Sequence, residues 1–290
     1  MSRHKQTFNA LRLVPCIVAV TVIAWSLNDS PTNAQSTQPD TQPSTQPDSP
    51  REWPDAAQRL ARKIERAHGD EKWKDVEAIE CTIKVEYGGH TVIDGRMLYE
   101  PHRGRVRIDM NDDDETTLIF DGDTAWISPA DSKFNKPRFH LLTWSYFLAA
   151  PFKLRDPGVN LSEHNLRMVT DKLCPSMKVT FEPGTGDSPD DWYIVYAHPQ
   201  NNRLHALAYI VTYDRSVEQA EAEPHVLLYE RYRQVDGVWL STLWEIRHWS
   251  ETRGAYGETL GRIAVENIRF VPQDKDAFDR PDNAREVPKP

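Results

Sequence analysis

The sequence predicts a mainly β fold with some α: an antiparallel sheet of about eleven strands, one helix ahead of it and a second helix inserted between its two halves. Three observations predict it. The hydrophobic period changes from 3.6 to 2 near Val76 and stays near 2 through most of the remaining chain. Gly88-Gly89, Asp121-Gly122 and Asp236-Gly237 join successive runs by tight hairpin turns, which only antiparallel strands accept. Helices do not alternate with strands, which excludes parallel αβ units.

At the N-terminus Arg3, Lys5 and Arg12 precede an apolar run at residues 13–27, shorter than the roughly 20 residues a spanning helix needs. Thr32-Asn33-Ala34 follows, with small residues where a signal peptidase reads. Residues 1–34 are therefore expected to be a cleavable signal peptide, cut between Ala34 and Gln35; a retained anchor is the alternative. Cys16 is not a lipid attachment site, because Pro15 precedes it and the apolar run continues through Ile17 to Val20. Residues 35–51 repeat Thr, Gln, Pro and Asp with no large apolar side chain until Trp53, a composition expected to form a disordered linker. One domain is expected at 52–278, with a C-terminal tail at 279–290.

The chain has 35 basic and 44 acidic residues, and loss of Arg3, Lys5, Arg12 and Asp29 with the signal makes the remainder more acidic. Nucleic-acid phosphates call for clustered bases, so nucleic acid is excluded as a partner. An anionic membrane surface is disfavoured for the same reason. The expected location is periplasmic or secreted, with no integral membrane segment after cleavage.

The first helix is signalled by Pro54 in its first turn, by the stripe Ala57, Leu60, Ala61 and Ile64, and by Gly69 at its stop. Ile79, Cys81, Ile83, Val85 and Tyr87 then alternate with polar residues as a half-buried strand. Runs at 91–99, 105–110, 116–120 and 124–128 complete a five-stranded meander. Residues 139–150 are apolar on every side of a helix, which predicts burial, and Pro151 ends it. Pro157-Gly158 opens a loop. Six further strands are expected at 176–182, 191–197, 204–213, 225–235, 238–249 and 259–271.

The residues offer little catalytic chemistry. No G-x-S-x-G elbow is present for a nucleophilic serine. The histidines share no H-x-H or H-x-x-x-H spacing within one element, so no metal site is predicted. Asp112-Asp113-Asp114-Glu115 lacks the glycine and the distal glutamate of a calcium loop. Glu230 and Glu245 on neighbouring strands could supply paired carboxylates, but they equally fit outward-facing sheet positions. No catalytic residue and no cofactor is predicted. Cys81 and Cys174 either form a disulfide in an oxidising compartment or remain two buried thiols.

Aromatic residues stand out, and two readings compete for them. They form core and cross-strand pairs, or a curved sheet closes only partly over them and leaves an apolar cavity. On the second reading the candidate ligand-binding residues are Trp126, Phe139, Trp144, Tyr146, Phe147, Tyr229 and Trp244.

Three local sequences point to a family. Ala67-His68-Gly69-Asp70-Glu71-Lys72-Trp73 leads into the first strand, Phe120-Asp121-Gly122-Asp123-Thr124-Ala125-Trp126 forms a "dGxxxW" hairpin, and Tyr229 to Leu240 carries a second hairpin signature, with Ser241 where proline is usual. With the order of elements, they resemble the LolA-like fold, the half-closed antiparallel barrel of bacterial lipoprotein localisation factors, and within it an uncharacterised secreted branch. The resemblance implies an incomplete β-barrel whose inserted helix is a lid, and a lipid or other apolar small molecule beneath it. It does not imply lipoprotein transport, because the carriers proper are smaller and lack the His-Gly opening. The fold also occurs in regulators that bind proteins, so an envelope sensor or scaffold with a protein partner is the alternative to a non-enzymatic ligand binder. A hydrolase is the second alternative.

Overall fold

The computed structural model describes residues 53–112 and 114–290. The expected signal peptide, the linker and Asp113 lie outside the described residues. The elements are α1 (Trp53–His68), α2 (Asp70–Trp73), β1 (Ala78–Tyr87), β2 (His90–Glu100), β3 (Arg105–Met110), β4 (Thr117–Phe120), β5 (Ala125–Ser128), α3 (Pro137–Ala149), β6 (Val159–Met168), β7 (Leu173–Phe181), β8 (Tyr193–Ala197), β9 (Leu204–Tyr209), α4 (Val217–Glu221), β10 (His225–Val235), β11 (Val238–Ser250), β12 (Gly254–Val271) and β13 (Arg285–Val287). A short 3-10 turn, Ala150–Phe152, follows α3.

The strands form one open antiparallel sheet in the order β13-β5-β4-β3-β2-β1-β12-β11-β10-β9-β8-β7-β6. Two meanders, β1 to β5 and β6 to β12, meet where β12 returns beside β1, with Ile79 opposite Phe270 and Val85 opposite Ile263. The turns are where local chemistry places them. Gly88 and Gly89 both have positive φ, as do Asp236 and Gly237, which is the backbone a two-residue hairpin requires. At Gly122, φ is +110°, and Asp121 Oδ1 accepts the amides of Asp123 and Thr124, fixing the β4–β5 turn.

Period-two alternation puts Ile79, Cys81, Ile83 and Val85 of β1 on the inner face, in one core with Ala57, Leu60, Ala61 and Ile64 of α1 and with Leu141, Trp144, Phe147 and Leu148 of α3. Helix α1 ends at Gly69, whose φ is +90° and whose missing Cβ would sit 2.3 Å from the carbonyl oxygen of Gly237. Only glycine meets both demands. Helix α3 starts on Pro137, two residues before the expected boundary, because a proline at the first helical position carries no amide that needs a partner. Among the described residues no helix is long and apolar enough to cross a membrane.

Among the described residues there are thirteen strands where eleven were expected. The expected loop after Pro157-Gly158 is strand β6: positive φ at Glu163 and a register shift between Ser162 and Asn165 break its alternation, and it sits at the sheet edge with mostly polar side chains. The expected tail holds β13, which pairs Arg285 with Ile127 and Val287 with Ala125, with Ala284 and Val287 buried. Cys81 and Cys174 are not bridged. Both are free and buried, Cys81 in the main core and Cys174 in a separate cluster with Tyr196 and Trp249, and five strands intervene between β1 and β7. A disulfide needs Cα atoms within about 7 Å.

Candidate functional site

Between the inner face of the sheet and α3 lies a cavity of about 580 Å³, within the range of small-molecule sites. Its floor is built by residues of the strands: Val85 and Tyr87 of β1, Val92 and Tyr99 of β2, Phe181 of β7, Tyr193 of β8 and Tyr209 of β9. Helix α3 forms the roof with Phe139, Leu142, Trp144, Tyr146 and Phe147. The segment carrying α4 lines one side through Val211, Tyr213, Arg215, Ala220 and Glu223. Aromatic rings outnumber aliphatic side chains on this surface, and several touch one another. Tyr146 stacks on Tyr193 with centroids 5.6 Å apart, Phe181 meets Tyr193 edge-on at 5.6 Å, and Phe147 tilts against Tyr209 at 5.3 Å.

Both ends of the roof are fastened. At the first turn of α3, Arg138 makes a buried two-point ion pair with Asp187 of the β7–β8 loop. At the last turn, the Tyr229 hydroxyl donates to the Phe147 carbonyl oxygen at 3.0 Å. Burial lowers His140 on α3 to about 4, with Lys136 adding to the effect, and His140 Nδ1 accepts the Trp144 indole N–H at 3.1 Å. His140 is thus neutral, with its proton on Nε2.

Polar groups also face the cavity. Burial raises Asp191 to about 6 although Thr212 donates to it through both its amide, at 2.7 Å, and its hydroxyl, at 2.8 Å. Tyr99, Tyr146, Tyr193 and Tyr209 are all pushed upward, chiefly by burial. These are poor acids and intact hydrogen-bond donors. Among the described residues no three His, Cys, Asp or Glu side chains gather as a metal set. Glu230 is exposed, and Glu245 is held by Arg262 at 2.7 Å and Arg247 at 3.2 Å. Burial alone would raise Glu245, but the two guanidinium groups prevail and hold it below the usual carboxylate range.

Of the seven expected ligand residues, Phe139, Trp144, Tyr146 and Phe147 line the cavity. Trp244 does not, being fully buried and tilted against Tyr229. Tyr229 serves as a fastener of α3. Trp126 is on the outer face, packed with Ile119 and Phe278 under Arg280, because its neighbours Ala125 and Ile127 take the inward positions of β5. Asp191, Tyr193 and Tyr209 were not among the expected site residues; the two tyrosines lie within expected strands, a readable signal, whereas Asp191 stands just ahead of β8. Helix α4 was also missed; its signal is the capping box of Ser216 and Gln219.

A family model described as a family of unknown function (DUF6503) matches residues 99–230. No curated protein matches the chain. Among solved structures it is similar to a LolA superfamily protein from Nitrosomonas europaea, at 9% identity and a TM-score of 0.51, covering 77% of this chain and 97% of that one. A DUF1329 family protein from Desulfovibrio piger aligns at 13% identity and TM-score 0.49, over 77% of this chain and 97% of that one. A putative outer membrane lipoprotein-sorting protein domain from Vibrio parahaemolyticus aligns at 9% and 0.47, over 79% and 96%. The open antiparallel sheet, the helix before it and the helix inserted over its inner face, with the first of these alignments, identify the chain's fold as the LolA-like incomplete barrel.

Proposed function

We propose that this is a non-enzymatic, extracytoplasmic protein, periplasmic or secreted, that holds a lipid or other apolar small molecule in the cavity under α3. The observation that carries the reading is the cavity itself: about 580 Å³ of space walled by aromatic and aliphatic side chains and roofed by a helix fastened at both ends. A well-packed interior leaves few voids larger than a water molecule. A space of this size and lining favours an apolar occupant. The signal-like N-terminal sequence supports export. Mass spectrometry of organic extracts from protein purified without detergent, with titration of a neutral solvatochromic dye, tests the reading. A stoichiometric lipid and saturable dye uptake are expected; no copurified molecule and no uptake would overturn it.

A second reading, an envelope sensor or scaffold that docks a protein partner, is favoured by one other feature. Leu166, Met168 and Leu173 on the β6–β7 hairpin are 63%, 47% and 52% exposed, and Met168 lies opposite Leu173. Such a cluster suits a protein contact. A photo-crosslinker at residue 166 that captures one defined envelope protein would support this reading, and absence of any adduct would count against it.

A further inference from the structure

The charged groups around the cavity are unevenly partnered, and the imbalance points to a class of ligand. Lys136 pairs with Asp214 at 3.1 Å, Lys153 with Asp156 at 3.1 Å, Arg215 with Glu223 at 3.5 Å, and Arg138 with Asp187. Asp191 differs. Its Oδ1 takes both hydrogen bonds from Thr212, while Oδ2 has neither a hydrogen bond nor a cation among the described residues. Asp191 stands two residues ahead of β8, and it and Tyr193 both line the cavity. The rings of Tyr146, Tyr193 and Tyr209 gather beside it, Tyr193 lying 5.6 Å from Tyr146 and 6.4 Å from Tyr209. The Asp191 charge contributes to the upward shift of all three phenols. Their hydroxyls have no protein partner among the described residues, although Tyr193 and Tyr209 are only 9% and 6% exposed.

We propose that the cavity takes apolar amines, the ammonium group pairing with Asp191 Oδ2 among the rings of Tyr146, Tyr193 and Tyr209 and the hydrocarbon running beneath α3, an assignment that rests on the cavity being the ligand site. A half-buried carboxylate without a counter-charge is unfavourable even with Thr212 bonded to one oxygen, and a cationic ligand supplies the missing charge. Aromatic faces carry negative potential and attract ammonium groups once water is displaced. Asp191, raised only to about 6, remains ionised at neutral pH. A fatty acid would set a second carboxylate beside Asp191, and the cations near the mouth that could receive it are already paired. A neutral alcohol would find hydrogen bonds from the tyrosines but would leave Asp191 without a counter-charge.

The test is calorimetric titration of the full chain at neutral pH with decylammonium, decanol and decanoate below their aggregation limits. Decylammonium should bind about tenfold tighter than decanol, the scale of one charge-assisted hydrogen bond, and decanoate should bind more weakly than decanol. Asp191→Asn should bring decylammonium and decanol to equal affinity. Asp190→Asn, an exposed neighbour outside the cavity lining, should keep the preference and so exclude general attraction to an acidic chain. Equal affinities in the wild type, or a preference that survives Asp191→Asn or disappears in Asp190→Asn, would overturn the amine assignment. Should Asp191→Asn fail to fold, the wild-type comparison of the three ligands still decides. Failure of all three to bind would remove the cavity reading itself; decanol binding without an amine preference would remove only the amine.

Discussion

Arg138 and Asp187 join the roof helix to the opposite wall through two parallel bonds, Nη2 to Oδ1 at 3.0 Å and Nε to Oδ2, with side chains only 3% and 8% exposed. The guanidinium also donates from Nη1 to the Asp123 carbonyl oxygen at 3.1 Å and lies 4.9 Å over the Phe120 ring. Asp187→Ala would strand a buried cation and should cost about 3 to 5 kcal/mol, measured by urea denaturation. The double change Arg138→Met with Asp187→Leu should recover most of the loss, because two apolar side chains of similar volume leave no charge unpaired. A single variant as stable as wild type would show that the pair is solvated.

The other end of the roof depends on a neutral bond. Tyr229→Phe deletes the hydroxyl that satisfies the Phe147 carbonyl and leaves the ring, already packed against Trp244, in place. The expected loss is about 1 to 3 kcal/mol, the cost of a buried acceptor left without a donor. Hydrogen exchange should show the amides at the C-terminal end of α3 losing protection more than those of the sheet. Uniform loss would mean that Tyr229 supports the core generally and not the roof.

How much of this arrangement is legible in the sequence depends on the range of each interaction. Asp236-Gly237 and Gly88-Gly89 were legible because a hairpin turn is set by the backbone preferences of its own two residues. Phe139, Trp144, Tyr146 and Phe147 were legible as a roof because a helix apolar on all sides has to be covered. Trp126 was misplaced because its facing depends on the phase of β5, and in a strand a shift of one residue exchanges inside for outside. Strand β6 was hidden by its bulge at Glu163, which interrupts the period that would have announced it. Asp191 is inconspicuous because an acidic residue at a strand end reads as surface. Only tertiary neighbours distant in sequence, Tyr209 and Thr212 from the adjacent strand and the segment after it and Tyr146 from α3, make it part of a cavity wall.

The two cysteines give a chemical check on that topology. Burial pushes the Cys81 thiol up to about 12 and the Cys174 thiol up to about 11. Neither is a competent thiolate at neutral pH. In protein beginning after Ala34 and handled without reductant, a thiol reagent should find neither cysteine in the native state and both after denaturation. Finding none after denaturation would mean that they are bridged and that β1 and β7 do not lie where the sheet order puts them.

His68 makes the fold sensitive to acid. At the end of α1 it is fully buried, its Nδ1 donating to the Trp239 carbonyl oxygen at 2.7 Å and its Nε2 accepting the Leu204 amide at 2.9 Å, so it fastens α1 to both β9 and β11 in the neutral form only. Burial lowers it from 6.5 to about 4, opposed by the Trp239 bond and helped by Arg203. Between those values the unfolded chain binds the proton and the folded chain resists it, so this stability is fully present above pH 6.5 and is lost as pH falls toward about 4. The shift corresponds to about 3 kcal/mol. His140 and His205, both lowered to about 4 chiefly by burial, act in the same direction. His68→Gln offers a donor and an acceptor without titrating, so urea midpoints measured across this range should fall less steeply in the variant than in wild type. Parallel pH profiles would assign the acid sensitivity to other groups.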